Sequence, residues 1–76
     1  MTEQTRKLLN ECYDILAQVL EIAEEKQDAA KMCRHYRKFG MWAGVRRERD
    51  RLDRCRQKAR ALKKRLDRLE ILARLL

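Results

Sequence analysis

The chain has 76 residues, enough for one small domain but too few for a large core that is stable alone. It has no proline or serine and is rich in the strong helix formers Ala, Leu, Glu, Lys, Arg and Gln, which predicts an all-α protein. The net charge of +8 is uneven: residues 1–30 carry three basic and seven acidic side chains (−4), and residues 31–76 carry seventeen and five (+12). This basic half favours an acidic partner, namely nucleic acid, anionic lipid or an acidic protein face.

Several classes are excluded by the same residues. No apolar run is long enough to span a membrane, and the first residues are too polar for a signal peptide. Three cysteines, Cys12, Cys33 and Cys55, lie far apart without CxxC spacing, which argues against a disulfide framework or a zinc site. We therefore expect a cytoplasmic protein without metal or cofactor.

The first predicted helix covers about residues 3–39. Thr2 can cap its free N–H groups, and Glu3 suits the positive end of the helix dipole. Apolar residues then recur at the three-four spacing of an amphipathic helix from Leu8 to Tyr36. Gly40 is the expected end, because glycine accepts the left-handed conformation that terminates helices.

Residues 40–44, which we call the tip, are predicted to connect this helix to a second one over about residues 45–76. The second helix has a coiled-coil seam on which only Glu48 is polar: Val45, Glu48, Leu52, Cys55, Ala59, Leu62, Leu66, Leu69, Ala73 and Leu76. Two helices of equal length and a short loop predict an antiparallel two-helix hairpin. The expected register places Ile15 opposite Leu69, Ile22 opposite Leu62, and Ala29 near Cys55.

The end of the hairpin opposite the tip, the open end, carries more apolar surface than one helix–helix seam can bury. We therefore predict a homodimer joined near the open ends, most simply as a four-helix arrangement. The alternative is a monomer with an exposed apolar end. The predicted dimer and core residues are Leu9, Leu16, Leu20, Leu69, Leu72 and Leu76.

Catalysis is not expected. The chain lacks serine, has threonine only in its first five residues, and has a single histidine, His35. Cys33 and His35 are two residues apart on a helix, so they point in different directions and do not chelate one metal together. Cys33 and Cys55 could lie close across the hairpin, either as a disulfide or, as we favour, as buried core thiols.

The stretch from residue 34 to 47 contains the only Trp, Phe and His and both glycines. Tyr36 and Phe39 are expected to close the seam, whereas at least one of Met41 and Trp42 should be exposed. Arg46, Arg47 and Arg49 follow the start of the second helix, where the dipole disfavours cations. We define the basic–aromatic surface as the predicted partner-binding set, Arg34, Arg37, Lys38, Met41, Trp42, Arg46, Arg47 and Arg49.

Three functions fit this pattern. The first is a protein-binding regulator, inhibitor or adaptor, in the style of small phage or mobile-element proteins that bind a transcription factor or other host factor. Tryptophan, arginine and methionine are enriched at such interfaces. The second is nucleic-acid binding through the basic second helix. In plan, a dimer of hairpins resembles the four-helix plasmid copy-number RNA-binding protein, although no motif of that family is present. The third is a basic amphipathic surface for anionic membranes or for assembly with other coiled coils.

Overall fold

The computed structural model describes residues 2–76 and consists of two long helices, α1 (Glu3–Lys38) and α2 (Trp42–Leu75). They pack against each other along their length and form a rod of 56 × 16 × 12 Å. The predicted all-α hairpin is therefore confirmed. No helix in residues 2–76 has the length and apolar character needed to cross a membrane.

Both ends of α1 are held by the predicted residues. The Thr2 hydroxyl accepts a hydrogen bond from the Thr5 backbone N–H at 3.2 Å, which satisfies one free donor of the first turn. At the other end Gly40 has φ +66°, and its N–H donates to the Arg37 carbonyl at 3.2 Å. The Met41 N–H donates to the Tyr36 carbonyl at 2.8 Å, which completes a Schellman motif.

The predicted boundary between the tip and the second helix is wrong by three residues. Helix α2 begins at Trp42, so the loop is only residues 39–41, and Trp42, Ala43 and Gly44 are helical. The reason is Gly44, which is buried against Tyr36. A Cβ at position 44 would lie 2.6 Å from Tyr36 Cγ, so the missing side chain lets the first turn of α2 pack directly on that ring.

The core follows a seven-residue repeat. Glu48, Cys55, Leu62 and Leu69 are all buried, and each is seven residues from the next. Ile15 forms one apolar cluster with Leu62 and Leu69, and Ile22 packs against that cluster. This agrees with the predicted register, and it places Leu69, one of the predicted dimer and core residues, in the core of the hairpin.

The open end leaves much apolar surface exposed, as predicted. The other five predicted dimer and core residues are all more than two-fifths exposed: Leu9, Leu16, Leu20, Leu72 and Leu76. Tyr13, Ile71 and Leu75 add to the same region and are each more than half exposed. The apolar excess is therefore a feature of the folded hairpin, and the homodimer that would cover it stays a prediction.

Candidate partner-binding surface

One side of the hairpin, the paired flank, is held by ion pairs between the acidic half of the chain and the basic half. Arg51 of α2 lies at its centre. Its guanidinium contacts Asp28 at 2.9 Å and Glu25 at 3.4 Å across the interface, and Glu48 at 3.3 Å within α2. The contacts with Asp28 and Glu25 therefore join the helices in the half of the hairpin nearest the tip.

Arg51 also explains how Glu48, the one polar residue of the seam, can be buried. The Glu48 side chain is only 10 % exposed, and a buried carboxylate is costly unless it is paired. The hydrogen bond from Arg51 provides that partner. The hydrogen bonds to Asp28, Glu48 and Glu25 raise the pKa of Arg51, although partial burial acts in the opposite sense, so this cation stays charged at any working pH.

The paired flank extends toward the open end with the same spacing. Lys58 contacts Glu25 at 3.7 Å, and Arg65 contacts Asp14 at 2.9 Å. Arg51, Lys58 and Arg65 are seven residues apart, so they lie on one side of α2, and all three contact α1 carboxylates. This is the interhelical charge pairing expected on the flanks of a coiled coil.

The opposite side of the hairpin, the open flank, has no ion pair between the helices in residues 2–76. Arg49 and Arg56 of α2 share a depression with Cys33 and Arg37 of α1, and Lys63 shares a groove with Val19. None of these α1 residues is acidic. Within α2, Arg56 has a weak contact of 3.4 Å to Asp53, and both side chains are mostly exposed.

Two shallow grooves run along the open flank. Near the tip, arginines from both helices, Arg37, Arg49 and Arg56, line a depression with Cys33, Leu52 and Asp53 at its base and edge. Toward the open end the flank becomes apolar, and its groove is lined by Ile15, Val19, Ile22, Ala59, Leu62, Lys63 and Leu66. The open flank therefore changes from cationic to apolar along the rod.

The aromatic residues of the tip end are exposed. Trp42 is 59 % and Met41 is 53 % exposed, which confirms that at least one of them faces solvent. Phe39 is 62 % exposed and packs edge-on against His35, with ring centroids 5.0 Å apart, so the prediction that it closes the seam is wrong. Tyr36 alone closes the seam, because it occupies the space that Gly44 leaves.

The cations of the basic–aromatic surface divide into two groups. Arg47 lies over the Tyr36 ring at 5.8 Å, and Lys38 lies over the Phe39 ring at 5.9 Å, so both have partners within the hairpin. The other four, Arg34, Arg37, Arg46 and Arg49, are exposed and form no salt bridge within residues 2–76. In the same residues Asp50 forms no salt bridge with Arg46 or Arg54, and Asp53 contacts Arg56 but not Arg49.

The start of α2 lacks the features that usually stabilise a helix N-terminus. Its capping position is Met41, which offers no side-chain acceptor, and its first turn contains no acidic residue. Serine, threonine, aspartate or asparagine at this position would satisfy a free N–H group. An exposed methionine therefore lies where a polar residue would stabilise the fold better.

The three cysteines are free thiols that differ in burial. Cys33 and Cys55 are buried free thiols, as favoured from the sequence, and Cys12 is an exposed one. In the part of the chain that the structure describes, no group of His, Cys, Asp and Glu residues is arranged to hold a metal ion.

Arg56 and Lys63 were not among the predicted partner-binding residues. The available signal was their spacing, since Trp42, Arg49, Arg56 and Lys63 form a seven-residue repeat that begins at the tip. The three cations lie within the predicted second helix, whereas Trp42 belongs to their repeat only because α2 begins at Trp42. Comparison with protein-family models, curated proteins and solved structures finds no match to this chain.

Proposed function

We propose that this chain is a non-enzymatic protein-binding module, a homodimeric hairpin that docks on another protein through its basic–aromatic surface and acts as a regulator, inhibitor or adaptor. The observation that carries the proposal is the exposure of Met41 and Trp42 beside four arginines that form no salt bridge in the described residues 2–76. Large apolar side chains next to arginines are typical of the centres of protein interfaces.

The cost of this arrangement to the hairpin supports the proposal. Exposed Met41 and Trp42 gain little from folding, because they remain in water. Cations near the start of α2 oppose the helix dipole, and an uncapped first turn forgoes stabilisation. Stability of the isolated hairpin does not explain these residues, whereas burial against a partner does.

The dimer part of the proposal rests on the apolar open end. Contiguous exposed apolar patches larger than a few hundred Å² are rare on monomers and mark interaction sites. Packing the open ends of two copies together would cover Leu16, Leu20 and Leu72 and leave both tips exposed. Such a dimer would present the basic–aromatic surface twice.

Site-specific photo-crosslinking tests the proposal and identifies the partner. A benzophenone amino acid replaces Trp42 in one variant and Gln57, an exposed residue of α2, in the control. Illumination of cells that express each variant should give a defined protein adduct from position 42 and none from position 57. Equal adducts from both positions, or none from position 42, would contradict docking through the basic–aromatic surface.

Nucleic-acid binding is the second candidate, and one observation favours it. Seven exposed cations of α2 have neither a salt-bridge partner nor an aromatic partner within residues 2–76: Arg46, Arg49, Arg54, Arg60, Lys63, Lys64 and Arg68. Phosphate contacts would release counterions, so affinity would fall steeply with salt. Retardation of random DNA or RNA at about 50 mM salt that is lost at about 200 mM would support this candidate. No retardation at the lower salt would remove it.

A further inference from the structure

The two flanks of the hairpin differ in a way that points to a missing helix. On the paired flank, Arg51, Lys58 and Arg65 repeat every seven residues, and each contacts a carboxylate of α1. On the open flank, Arg49, Arg56 and Lys63 also repeat every seven residues. Within residues 2–76 none of them contacts a carboxylate of α1, and Arg56 alone has a salt bridge, to Asp53 of its own helix. The paired flank therefore shows, within the same molecule, that such a row of cations binds the carboxylates of an adjacent helix.

We infer that the open flank binds an acidic amphipathic helix of the partner protein. Its carboxylates, repeated every seven residues, would face Arg49, Arg56 and Lys63, about 10.5 Å apart along α2 at 1.5 Å per residue. This inference rests on the proposed protein-binding function and specifies the chemical class of the partner segment. Trp42 lies at the tip end of the same row, so the open flank and the basic–aromatic surface are continuous.

Charge and shape favour a helix over the other possible occupants. The three arginines around the depression near the tip suit carboxylates. The groove of Ile15, Val19 and Leu66 further along suits apolar side chains at three-four spacing. A nucleic acid would use the cations but would leave that groove uncovered.

A second copy of this chain fits less well. Its α1 carboxylates that form no salt bridge in residues 2–76 do not repeat every seven residues: Glu11, Glu21 and Glu24. Asp14, Glu25 and Asp28 already contact its own α2. Offering them to a neighbour would leave the cations of its own paired flank without partners. The acidic helix is therefore expected to come from a different protein.

A designed peptide tests the inference directly on the intact chain. The peptide has about 28 residues, glutamates every seven residues beside leucines at three-four spacing, and no tryptophan. Binding is followed by the anisotropy of a label on the peptide and by the emission of Trp42, the only tryptophan of the chain. A shuffled peptide of the same composition controls for net charge, and circular dichroism verifies that each variant folds.

Reversal of the row, R49E/R56E/K63E, should weaken peptide binding at least tenfold. The matched control R54E/K64E/R68E has the same charge change at exposed positions of α2 outside the row, and it should change binding less than about threefold. A peptide with lysines in place of the glutamates should bind the reversed variant and not the wild type. The neutral variant R49Q/R56Q/K63Q, with intermediate binding expected, provides the test if the reversed variant does not fold.

Four results would overturn the inference: no binding of the glutamate peptide to the wild type, equal binding of the shuffled peptide, equal losses in the two triple variants, or dissociation of a homodimer by R49E/R56E/K63E. Nucleic-acid binding that R49E/R56E/K63E abolishes and the glutamate peptide does not displace would also overturn it. A protein adduct from position 42 together with any of these results leaves the proposed function standing and removes only the inference. Absence of that adduct together with binding of the glutamate peptide contradicts docking through the basic–aromatic surface but leaves the affinity of the open flank for an acidic helix standing.

Discussion

At the residue scale, two close contacts determine how the helices meet near the tip. Gly44 allows the start of α2 to lie on the Tyr36 ring, and Arg47 covers that ring from another side. Further along, Arg51 partners the buried Glu48 and links it to the carboxylates of α1. Single substitutions at Gly44 and Arg51 should therefore reduce the stability of the hairpin more than substitutions at exposed positions.

Gly44→Ala should destabilise the hairpin by about 1–3 kcal/mol, because the new Cβ lies within 3 Å of three atoms of the Tyr36 ring. Alanine has the better helix propensity by about 1 kcal/mol, so the clash must exceed that gain. Thermal unfolding followed by circular dichroism measures the difference. In the double variant with Tyr36→Leu the cost should largely disappear, and a single variant more stable than wild type would contradict the contact.

Arg51→Ala should lower the melting temperature by several degrees, because it leaves the buried Glu48 carboxylate without its partner. Adding Glu48→Leu should restore part of the loss by removing that carboxylate. The pKa of Arg51 is higher in the folded state than in the unfolded chain. The stability that Arg51 contributes is therefore complete below its pKa in the unfolded chain, and it is lost only as the pH rises above that value. The effect of Arg51→Ala should therefore be the same at pH 7 and pH 9.

At the element scale, the sequence predicts the helices well because their signals are local. The seven-residue repeat, the Thr2 cap and the Gly40 stop each depend on a few neighbouring residues, and all agree with the structure. The start of α2 was misplaced because Gly44 has two possible roles, as a loop residue or as a site of close approach. Only its contact with Tyr36, eight residues earlier, decides between them.

The uncapped start of α2 gives a prediction that separates stability from function. Met41→Asp should stabilise the hairpin by roughly 1 kcal/mol, since aspartate accepts from the free N–H groups and suits the helix dipole. The same change removes an apolar side chain from the basic–aromatic surface and should weaken partner capture. Chemical denaturation and a capture assay measure the two effects, and a variant that gains stability without losing capture would exclude Met41 from the interface.

At the scale of the whole molecule, the candidate site was predictable only in part. The position of Met41 and Trp42 beside the glycine that ends α1 predicts that at least one of them is exposed, and both are. The charge pattern indicates the arginines around them. The difference between the flanks was not predicted, because it depends on which α1 residue faces each cation. That information appears only when the two helices are in register, as through Arg65 and Asp14.

The dimer prediction belongs to this scale. Light scattering should give about twice the 9.2 kDa of one chain at tens of micromolar. Leu16→Glu with Leu20→Glu should give the monomer mass, because the charges fall on the exposed apolar face of α1. Asn10→Glu with Ala17→Glu, at exposed positions away from the seam, should leave the dimer intact. A wild type of monomer mass would contradict the homodimer.

The most direct test of the central claim is capture of the crosslinked partner by purified wild type, Trp42→Ala and Ile71→Ala. Trp42 and Ile71 are each 59 % exposed, so the two variants remove similarly exposed apolar side chains from the tip and from the open end. We predict that Trp42→Ala loses at least tenfold in captured partner, a typical loss for an interface tryptophan of about 2 kcal/mol, whereas Ile71→Ala stays close to wild type. Wild-type capture by Trp42→Ala would contradict the claim that the hairpin acts through its tip.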